Sequence, residues 1–246
     1  MKGHIGKHER RQAAAKEEPS PVTALRDLLA ISFAADLAAT APMVCDVLRD
    51  EMGAESDRLK LRAQKGALQA LDGHGGALAL DVARAYRDRF DERLFGADPM
   101  AQTQPIDDLS IMDDSKLKRV VAMDGCAARL REQCGAEIFQ LTARLCEMVG
   151  QASVTDSGNP LLPRLFCRCL SQGLKELGLN GDQRFEAFMA FSPALLHIVP
   201  DLYVQANALL IERGILATFK AEYGRPVTRA PVRTPEPRMV IPTDPK

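Results

Sequence analysis

Four side chains in the second half of the sequence have the chemistry of a metal or nucleophile site: Cys167, Cys169, His197 and Asp201. Thiolates and imidazoles are common zinc ligands, and a thiol beside a histidine can act as a nucleophile. On a helix, however, two residues that are two positions apart diverge by about 200°, so the two cysteines cannot easily share one ion. The C-x-x-C spacing of strong zinc motifs is also absent. We therefore interpret these residues as structural and predict no catalytic residue, no metal site and no cofactor.

A glycine-rich stretch around the third histidine has the composition of a phosphate loop or an oxyanion hole. It reads "DGHGG" over residues 72–76, with His74 at its centre. Such sites also need a preceding strand and a lysine or serine that completes them, and neither is present here. We interpret the stretch as an exposed loop between two helices. The lack of a catalytic constellation favours a protein that is not an enzyme.

Two arginines are the candidate anion-binding residues. Arg58 and Arg62 lie four positions apart in "DRLKLR", so both guanidinium groups fall on one helical face, and guanidinium groups bind phosphates well. A cyclic-dinucleotide site would need companion turn residues, which the sequence lacks. The pair leaves open a nucleotide or other small phosphate-ligand binding domain, with a solvated helix surface as the plainer interpretation.

The overall composition predicts an all-α protein without broad affinity for nucleic acid. The chain has 246 residues, 46% of them hydrophobic, only 5% aromatic and no tryptophan, which suits close-packed helices better than strands. A formal net charge of -1 offers no cationic field for a phosphate backbone. We expect no transmembrane segment and a cytoplasmic location with six reduced cysteines, because no signal peptide is evident and the most apolar stretch contains Asp36 and Pro42.

The pattern along the chain predicts three regions. Residues 1–21 form a disordered basic arm, residues 22–222 an all-helical domain, and residues 223–246 a Pro-rich disordered tail. The domain is predicted to be a bundle of about seven helices with one long central helix, which starts at Asp113 and Asp114 after a connector over residues 96–112 and ends at Gly150. Three further start signals are Thr40 before Pro42, Asp182, and Ser192 before Pro193.

A corner before a cysteine-bearing helix is the most informative local feature. The sequence "SGNPLLP" over residues 157–163 holds Asn159, Pro160 and Pro163. Either Asn159 caps a helix whose first turn is irregular, or the regular helix begins nearer Pro163. An apolar stripe that includes Cys169 then faces the core.

Two polar residues on the last helix are predicted to reach this corner. Tyr203 and Asn207 lie one turn apart on an apolar face, where polar groups need hydrogen-bond partners. We expect Asn207 to bond backbone groups of residues 157–163. Pro200 should kink this last helix, and Gly214 should end it.

Three segments in a fixed order carry a family resemblance. They are "DDLSIMDD" before the long helix, "GNPLLPRLFCRCL" at the corner, and "LYVQANALLIERGIL" on the last helix. The order resembles the N-terminal part of a bacterial family, domain of unknown function 1631, over roughly residues 22–220. The match is most specific at a set of eight residues: Asn159, Pro160, Leu161, Pro163, Tyr203, Asn207, Leu210 and Gly214. The resemblance implies an all-helical fold and no particular activity.

The sequence therefore favours a non-catalytic helical interaction or regulatory module. We expect a protein partner, with a homo-oligomer as one possibility and nucleic acid disfavoured. The alternative remains a nucleotide or phosphate-ligand binding domain that uses Arg58 and Arg62.

Overall fold

Seven α-helices dominate the part of the protein that the computed structural model describes, residues 19–96 and 114–216. They are α1 (Pro21–Ala54), α2 (Arg58–Leu71), α3 (Gly75–Phe95), α4 (Asp114–Gln133), α5 (Gly135–Val149), α6 (Pro163–Glu176) and α7 (Gly181–Glu212). These two ranges contain no strand, so the predicted all-α bundle of about seven helices is confirmed. The predicted basic arm before Pro19, the connector after Gly96 and the Pro-rich tail lie outside the described residues.

Helix α1 is continuous where the sequence predicted two helices. Pro42 lies inside it, and the Thr40 hydroxyl donates to the Asp36 carbonyl at 2.7 Å instead of capping a new helix. The prediction that a new helix starts at Thr40 before Pro42 was therefore wrong. Both halves of the helix share one buried stripe, which runs from Leu25 to Leu48, and its packing outweighs the single hydrogen bond that the proline removes.

Helix α7 is likewise continuous through its prolines, and its N-cap differs from the predicted one. Its N-cap is Asn180, whose side chain accepts from the Gln183 backbone while the Gln183 side chain accepts from Asn180, so the predicted cap at Asp182 was wrong. Pro193 lies inside the helix, so Ser192 does not start a new one. The buried side chains continue on both sides of Pro193 and Pro200, which favours one continuous helix over two.

The predicted long central helix is instead two helices. Helix α4 ends at Gln133 and α5 begins at Gly135, with Cys134 as its N-cap. Helix α4 packs on α6 and α7, whereas α5 packs on α7 and α1. A break at Cys134 lets each half reach its own neighbours, and Gly135 lowers the helical preference at that point.

Two short connections fix how neighbouring helices meet. Residues Asp72–His74 join α2 to α3, and Gly73 adopts the left-handed conformation that favours glycine. A methyl group on Gly75 would lie 3.3 Å from the Ala38 carbonyl, so α3 begins in close contact with α1. Helix α6 begins at Pro163 with Leu162 as its N-cap, which confirms the second of the two alternatives for this corner.

The core is one continuous cluster to which all seven helices contribute. Helix α1 lies between α3 and α7, helix α6 packs on α3, α4 and α7, and helix α2 covers part of the junction of α1 and α7. Phe166 of α6 is at the centre of the aromatic packing: its ring centroid lies 5.0 Å from that of Phe33, 4.9 Å from Tyr86 and 5.8 Å from Tyr203. Four helices thus meet at one ring.

Candidate functional site

The corner over residues 157–163 is held by hydrogen bonds from three directions. The Asn159 side chain accepts from the Leu161 backbone at 2.9 Å and donates to the Thr142 hydroxyl of α5 at 3.0 Å. The Asn159 carbonyl accepts from Nη1 of Arg93 on α3 at 2.9 Å. Asn159 is only 4% exposed, so these bonds satisfy a polar side chain that would be costly to bury alone.

Two buried tyrosines end at carbonyls of the same corner. The Tyr203 hydroxyl donates to the Leu161 carbonyl at 2.5 Å, and the Tyr86 hydroxyl donates to the Pro160 carbonyl at 3.4 Å. Burial raises the pKa of both phenols well above the ordinary value, so both keep the proton that they donate. Helices α3 and α7 are thereby attached to the turn that leads into α6.

Asn207 does not reach this corner, so the contact predicted for it was wrong. Its side-chain oxygen accepts from Nη1 of Arg144 at 2.6 Å, and its side-chain nitrogen donates to the Glu137 carbonyl at 3.3 Å. Asn207 lies on the same face of α7 as Tyr203 but one turn farther along the helix, where α5 and not the corner is its neighbour. It is Tyr203 that makes the bond to the corner.

Arg144 links Asn207 to the end of α7, where Gly214 lies. Its guanidinium also donates to the carbonyls of Ile215 and Leu216 at 3.3 and 3.4 Å, while the arginine itself is 1% exposed. Gly214 adopts a left-handed conformation with φ of 75°, which returns the chain toward Arg144. The six predicted corner residues therefore form two groups: Asn159, Pro160, Pro163 and Tyr203 at the corner, and Asn207 and Gly214 around Arg144. Sequence reasoning missed Arg144, because a charged residue is rarely buried.

The predicted anion pair lies on the protein surface. Arg58 is the first residue of α2 and Arg62 follows one turn later, and both are exposed. Arg62 borders a shallow groove that also contains the carboxylate of Asp182. A carboxylate in the same groove opposes anion binding, so no contact in the structure favours Arg58 and Arg62 as a ligand site.

The cysteines, His74 and His197 do not come together as one cluster in the part of the chain that the structure describes. Among the described residues no group of three or more Cys, His, Asp or Glu side chains is placed to hold an ion. Cys167 and Cys169 are fully buried whereas His197 is exposed, and burial raises the pKa of Cys169 to about 12. These positions fit the structural interpretation.

One thiol contact between helices was not foreseen. Cys126 of α4 and Cys167 of α6 are hydrogen-bond partners in the core. The contact with Cys167, helped by Ser192 and the charge of Arg129, outweighs burial and lowers the pKa of Cys126. The pKa of Cys167 rises in response, because the contact favours its protonated form. The sequence indicated a structural role for Cys167 and gave no sign of its contact with Cys126.

An apolar surface extends along α1 and α7, on the sides of these helices that face away from the core. We call it the α1–α7 face. Its exposed apolar residues recur every four positions on α1 and form two groups on α7, separated by the exposed His197 and Asp201: Ile31, Ala35, Ala39, Met43 and Val47 on α1, and Met189 and Pro193, then Val204, Ala208 and Ile211, on α7. Ile31 and Met43 are each 55% exposed and Val204 is 57% exposed. Large apolar side chains repeated in this way are unusual on a surface that faces water alone.

One hydrogen bond and two charge interactions indicate that the two helices, which pack against each other, run antiparallel. Arg213 at the end of α7 donates to the Pro19 carbonyl before α1 at 3.3 Å. Midway along, burial and then the charge of Asp201 raise the pKa of Asp36. Near the other end, Glu51 contributes to the raised pKa of Glu186. The apolar residues of both helices therefore border one seam, with Asp36 and Asp201 at its middle.

The same two helices are long and apolar enough to cross a membrane by length and composition. Their most apolar windows have mean hydropathies of 1.8 for α1 and 1.4 for α7, and 44% and 56% of those windows are buried in the bundle. Core helices of water-soluble proteins pass the same test, so the observation is weak evidence for a membrane span. Both helices contribute to the core of the bundle, and both also carry exposed apolar residues of the α1–α7 face.

Over residues 19–96 and 114–216 the fold and its contacts define an all-helical bundle with a hydrogen-bonded corner and an exposed apolar face. The chain belongs to the family described as protein of unknown function (DUF1631), N-terminal domain, whose model matches residues 17–214. This match confirms the resemblance carried by the corner and the last helix. No curated protein and no solved structure is detectably similar to the chain.

Proposed function

We propose that the protein is a non-catalytic, cytoplasmic interaction or regulatory module that binds an amphipathic helix of a partner protein on the α1–α7 face. One observation supports the proposal above all: two antiparallel helices present apolar residues at helical spacing along a shared seam. A groove between two helices accepts a third helix through side chains at positions i, i+3, i+4 and i+7. The partner would complete a further layer of the bundle.

The apolar residues supply the driving force for docking. Ile31, Met43 and Val204 are each more than half exposed, and burial of such a side chain contributes about 1 kcal/mol or more at roughly 25 cal/mol per Å². Several such contacts offset the cost of association, while the smaller Ala35 and Ala39 permit a close approach of the partner's backbone. The face therefore has the composition that a helix partner requires.

The acidic pair at the seam indicates the partner's charge. Asp36 is half-buried beside Asp201, and in residues 19–96 and 114–216 neither carboxylate has a basic ion-pair partner. Repulsion between the two is relieved when a Lys or Arg of the partner lies between them. The partner helix should therefore carry a basic residue at its centre, flanked by apolar residues.

The same charges argue for a protein partner over a lipid surface. Asp46 and Asp50 are exposed near Met43 and Val47, and Asp201 is exposed near Val204. Anionic headgroups attract basic segments and repel acidic ones. A membrane-binding role would need basic residues where this face has aspartates.

The test is co-purification from the native host with matched variants. Val204→Asp should lose the partner that the wild type recovers, because a carboxylate enters the centre of the apolar face. Val121→Asp is the matched control, since Val121 is 62% exposed on α4, one turn before Asp124, which pairs with Arg164 of α6. The control should keep the partner, and circular dichroism should show both variants folded.

Charge reversal identifies the kind of partner. Asp36→Lys combined with Asp201→Lys should weaken binding at least tenfold if a basic helix docks there, and high salt should weaken wild-type binding in the same direction. A partner retained by Val204→Asp and by the double lysine variant contradicts the proposal. If the variants abolish only a dimer of this chain and no other protein is lost, the occupant of the face is a second copy of the chain and the proposed partner helix is ruled out.

A further inference from the structure

A cavity lined by arginines opens beside the first turn of α6. It has a volume of about 630 Å³ and is bordered by α3, α4, α6 and the chain before α6. We call it the arginine pocket, after its four basic residues: Arg93, Arg131, Arg164 and Arg168. It lies on other elements than the α1–α7 face, so its role is independent of the proposed partner docking.

Two of the four arginines are neutralised by carboxylates. Arg164 binds Asp124 through two atoms, with Nε to Oδ1 at 2.8 Å and Nη2 to Oδ2 at 3.1 Å. Arg131 reaches Asp156 at 3.0 Å. These pairs account for both acidic residues among the described residues that line the pocket, which leaves two of its arginines without a carboxylate partner there.

Arg93 and Arg168 are these two arginines. Within the part of the chain that the structure describes, neither forms an ion pair with a carboxylate, and the hydrogen bond of Arg93 goes to a backbone carbonyl. Burial lowers the pKa of both residues, the charge of Arg168 lowers the pKa of Arg93 further, and Arg164 and Arg89 do the same to Arg168. Half-buried cations that repel one another are stabilised by a bound anion.

The surrounding groups select a phosphate group over a planar ligand. Arginine side chains at different angles can each contribute two N–H donors to one tetrahedral anion. The N-terminal turn of α6, with Leu162 and Pro163 at the pocket wall, adds the positive end of the helix dipole. Among the described residues no aromatic side chain lines the pocket, so they offer a nucleobase no ring on which to stack.

We propose that the arginine pocket binds a phosphate or diphosphate group of a small phosphorylated ligand, with Arg93 and Arg168 as its direct ligands. This assigns anion binding to residues that the sequence did not single out, in place of Arg58 and Arg62. Arg93 also donates to the Asn159 carbonyl, so an occupied pocket is connected to the corner that holds α6 and α7.

The test uses inorganic phosphate and pyrophosphate as probes, with sodium chloride at equal ionic strength as the reference. Calorimetry should show saturable binding to the full chain, and the Tm should rise with probe concentration. Arg168→Gln should weaken pyrophosphate binding at least tenfold, and Arg168→Lys should restore part of it. Arg62→Gln is the matched control, because it removes an exposed arginine outside the pocket and should bind like the wild type.

A second measurement separates ligand binding from a structural role. Without any probe, Arg168→Gln should have a Tm equal to or above that of the wild type, because the substitution removes like-charge repulsion. Two results would overturn the proposal: equal Tm increases for wild type, Arg168→Gln and Arg62→Gln, which indicate a general salt effect, or a large loss of Tm in Arg168→Gln without a probe. Absence of saturable binding to the wild type would overturn it as well.

Discussion

The hydroxyl of Tyr203 donates a 2.5 Å hydrogen bond to the carbonyl of Leu161, across 42 positions of sequence. Tyr203 is in the middle of α7 and Leu161 is in the turn that leads into α6, and both are fully buried. A buried carbonyl in a turn has few other donors within reach, so this bond both satisfies the turn and fixes α7 beside it.

Removal of this hydroxyl should destabilise the fold. Tyr203→Phe keeps the ring against Phe166 but leaves the Leu161 carbonyl buried without this donor, which costs about 1 to 3 kcal/mol. Urea denaturation gives the difference in free energy of unfolding. Tyr86→Phe is the matched control and should cost less, because its bond to the Pro160 carbonyl is longer at 3.4 Å. A larger effect for Tyr86→Phe would contradict this reading of the corner.

Asn207 should matter to stability through Arg144. Asn207→Ala removes the acceptor of the 2.6 Å bond from Arg144 and the donor to the Glu137 carbonyl, so we expect a loss of about 1 to 3 kcal/mol. In a double-mutant cycle with Arg144→Met, the two losses should be non-additive, because both substitutions break the same contact. Simple additivity would mean that the two side chains act separately.

Gly173 should be intolerant of a side chain because α3 and α6 approach closely there. A methyl group at this position would lie 2.6 Å from Cγ2 of Val82 and 3.0 Å from Cδ1 of Leu78. Gly173→Ala should therefore destabilise by about 1 to 3 kcal/mol. Gly125→Ala is the control: it lies inside α4 with nothing within 4 Å, and it should stabilise by up to about 1 kcal/mol. If both variants behave alike in thermal denaturation, close packing at Gly173 is refuted.

Glu186 should make the free energy of unfolding depend on pH, with its stabilising contribution largest in mild acid. Burial raises the pKa of this glutamate above its ordinary value of 4.5, with Lys60 acting in the opposite direction. Because the folded protein holds this proton more tightly, the contribution is fully present below pH 4.5 and is lost as the pH rises through the folded pKa. Glu186→Gln should remove this pH dependence. The free energy of unfolding of the variant should therefore exceed that of the wild type by more at pH 7 than at pH 4.

The measurement for Glu186 is the free energy of unfolding of wild type and variant between pH 4 and pH 8. Glu132→Gln, an exposed glutamate on α4, is the control and should follow the wild type across this range. A Glu186→Gln variant whose stability runs parallel to the wild type at every pH would show that Glu186 has an ordinary pKa in the fold.

Local signals predicted the helical class and several boundaries, and tertiary packing explains where they failed. Proline at residue 163 and glycine at residue 214 act at helix ends, where their backbone preferences decide the conformation. Pro42 and Pro193 lie inside helices, because buried side chains on both sides gain more than one lost hydrogen bond costs. A proline therefore marks an end only where the apolar stripe also ends.

The partners of polar residues were harder to predict than the elements that carry them. The sequence placed Tyr203 and Asn207 on one face and required partners for both, but a separation of one turn decides which neighbour each one meets. Arg144 and the arginine pocket depend on contacts between side chains from distant segments, and no local sequence pattern predicts such contacts. The sequence did not predict the α1–α7 face, for a related reason. A helix with apolar residues on two sides shows no clear amphipathic pattern, so its second apolar side is not apparent from the sequence.

Oxidative footprinting of the native complex tests the docking face most directly. Met43 on α1 and Met189 on α7 are exposed on this face, and methionine oxidises readily when solvent reaches it. Hydroxyl-radical labelling of the chain with its co-purified partner, compared with the purified chain, should show oxidation of both methionines reduced several-fold together, while Val121 on α4 is labelled equally in both states. Unchanged labelling of Met43 and Met189 in a complex that protects residues elsewhere would show that the partner binds another surface.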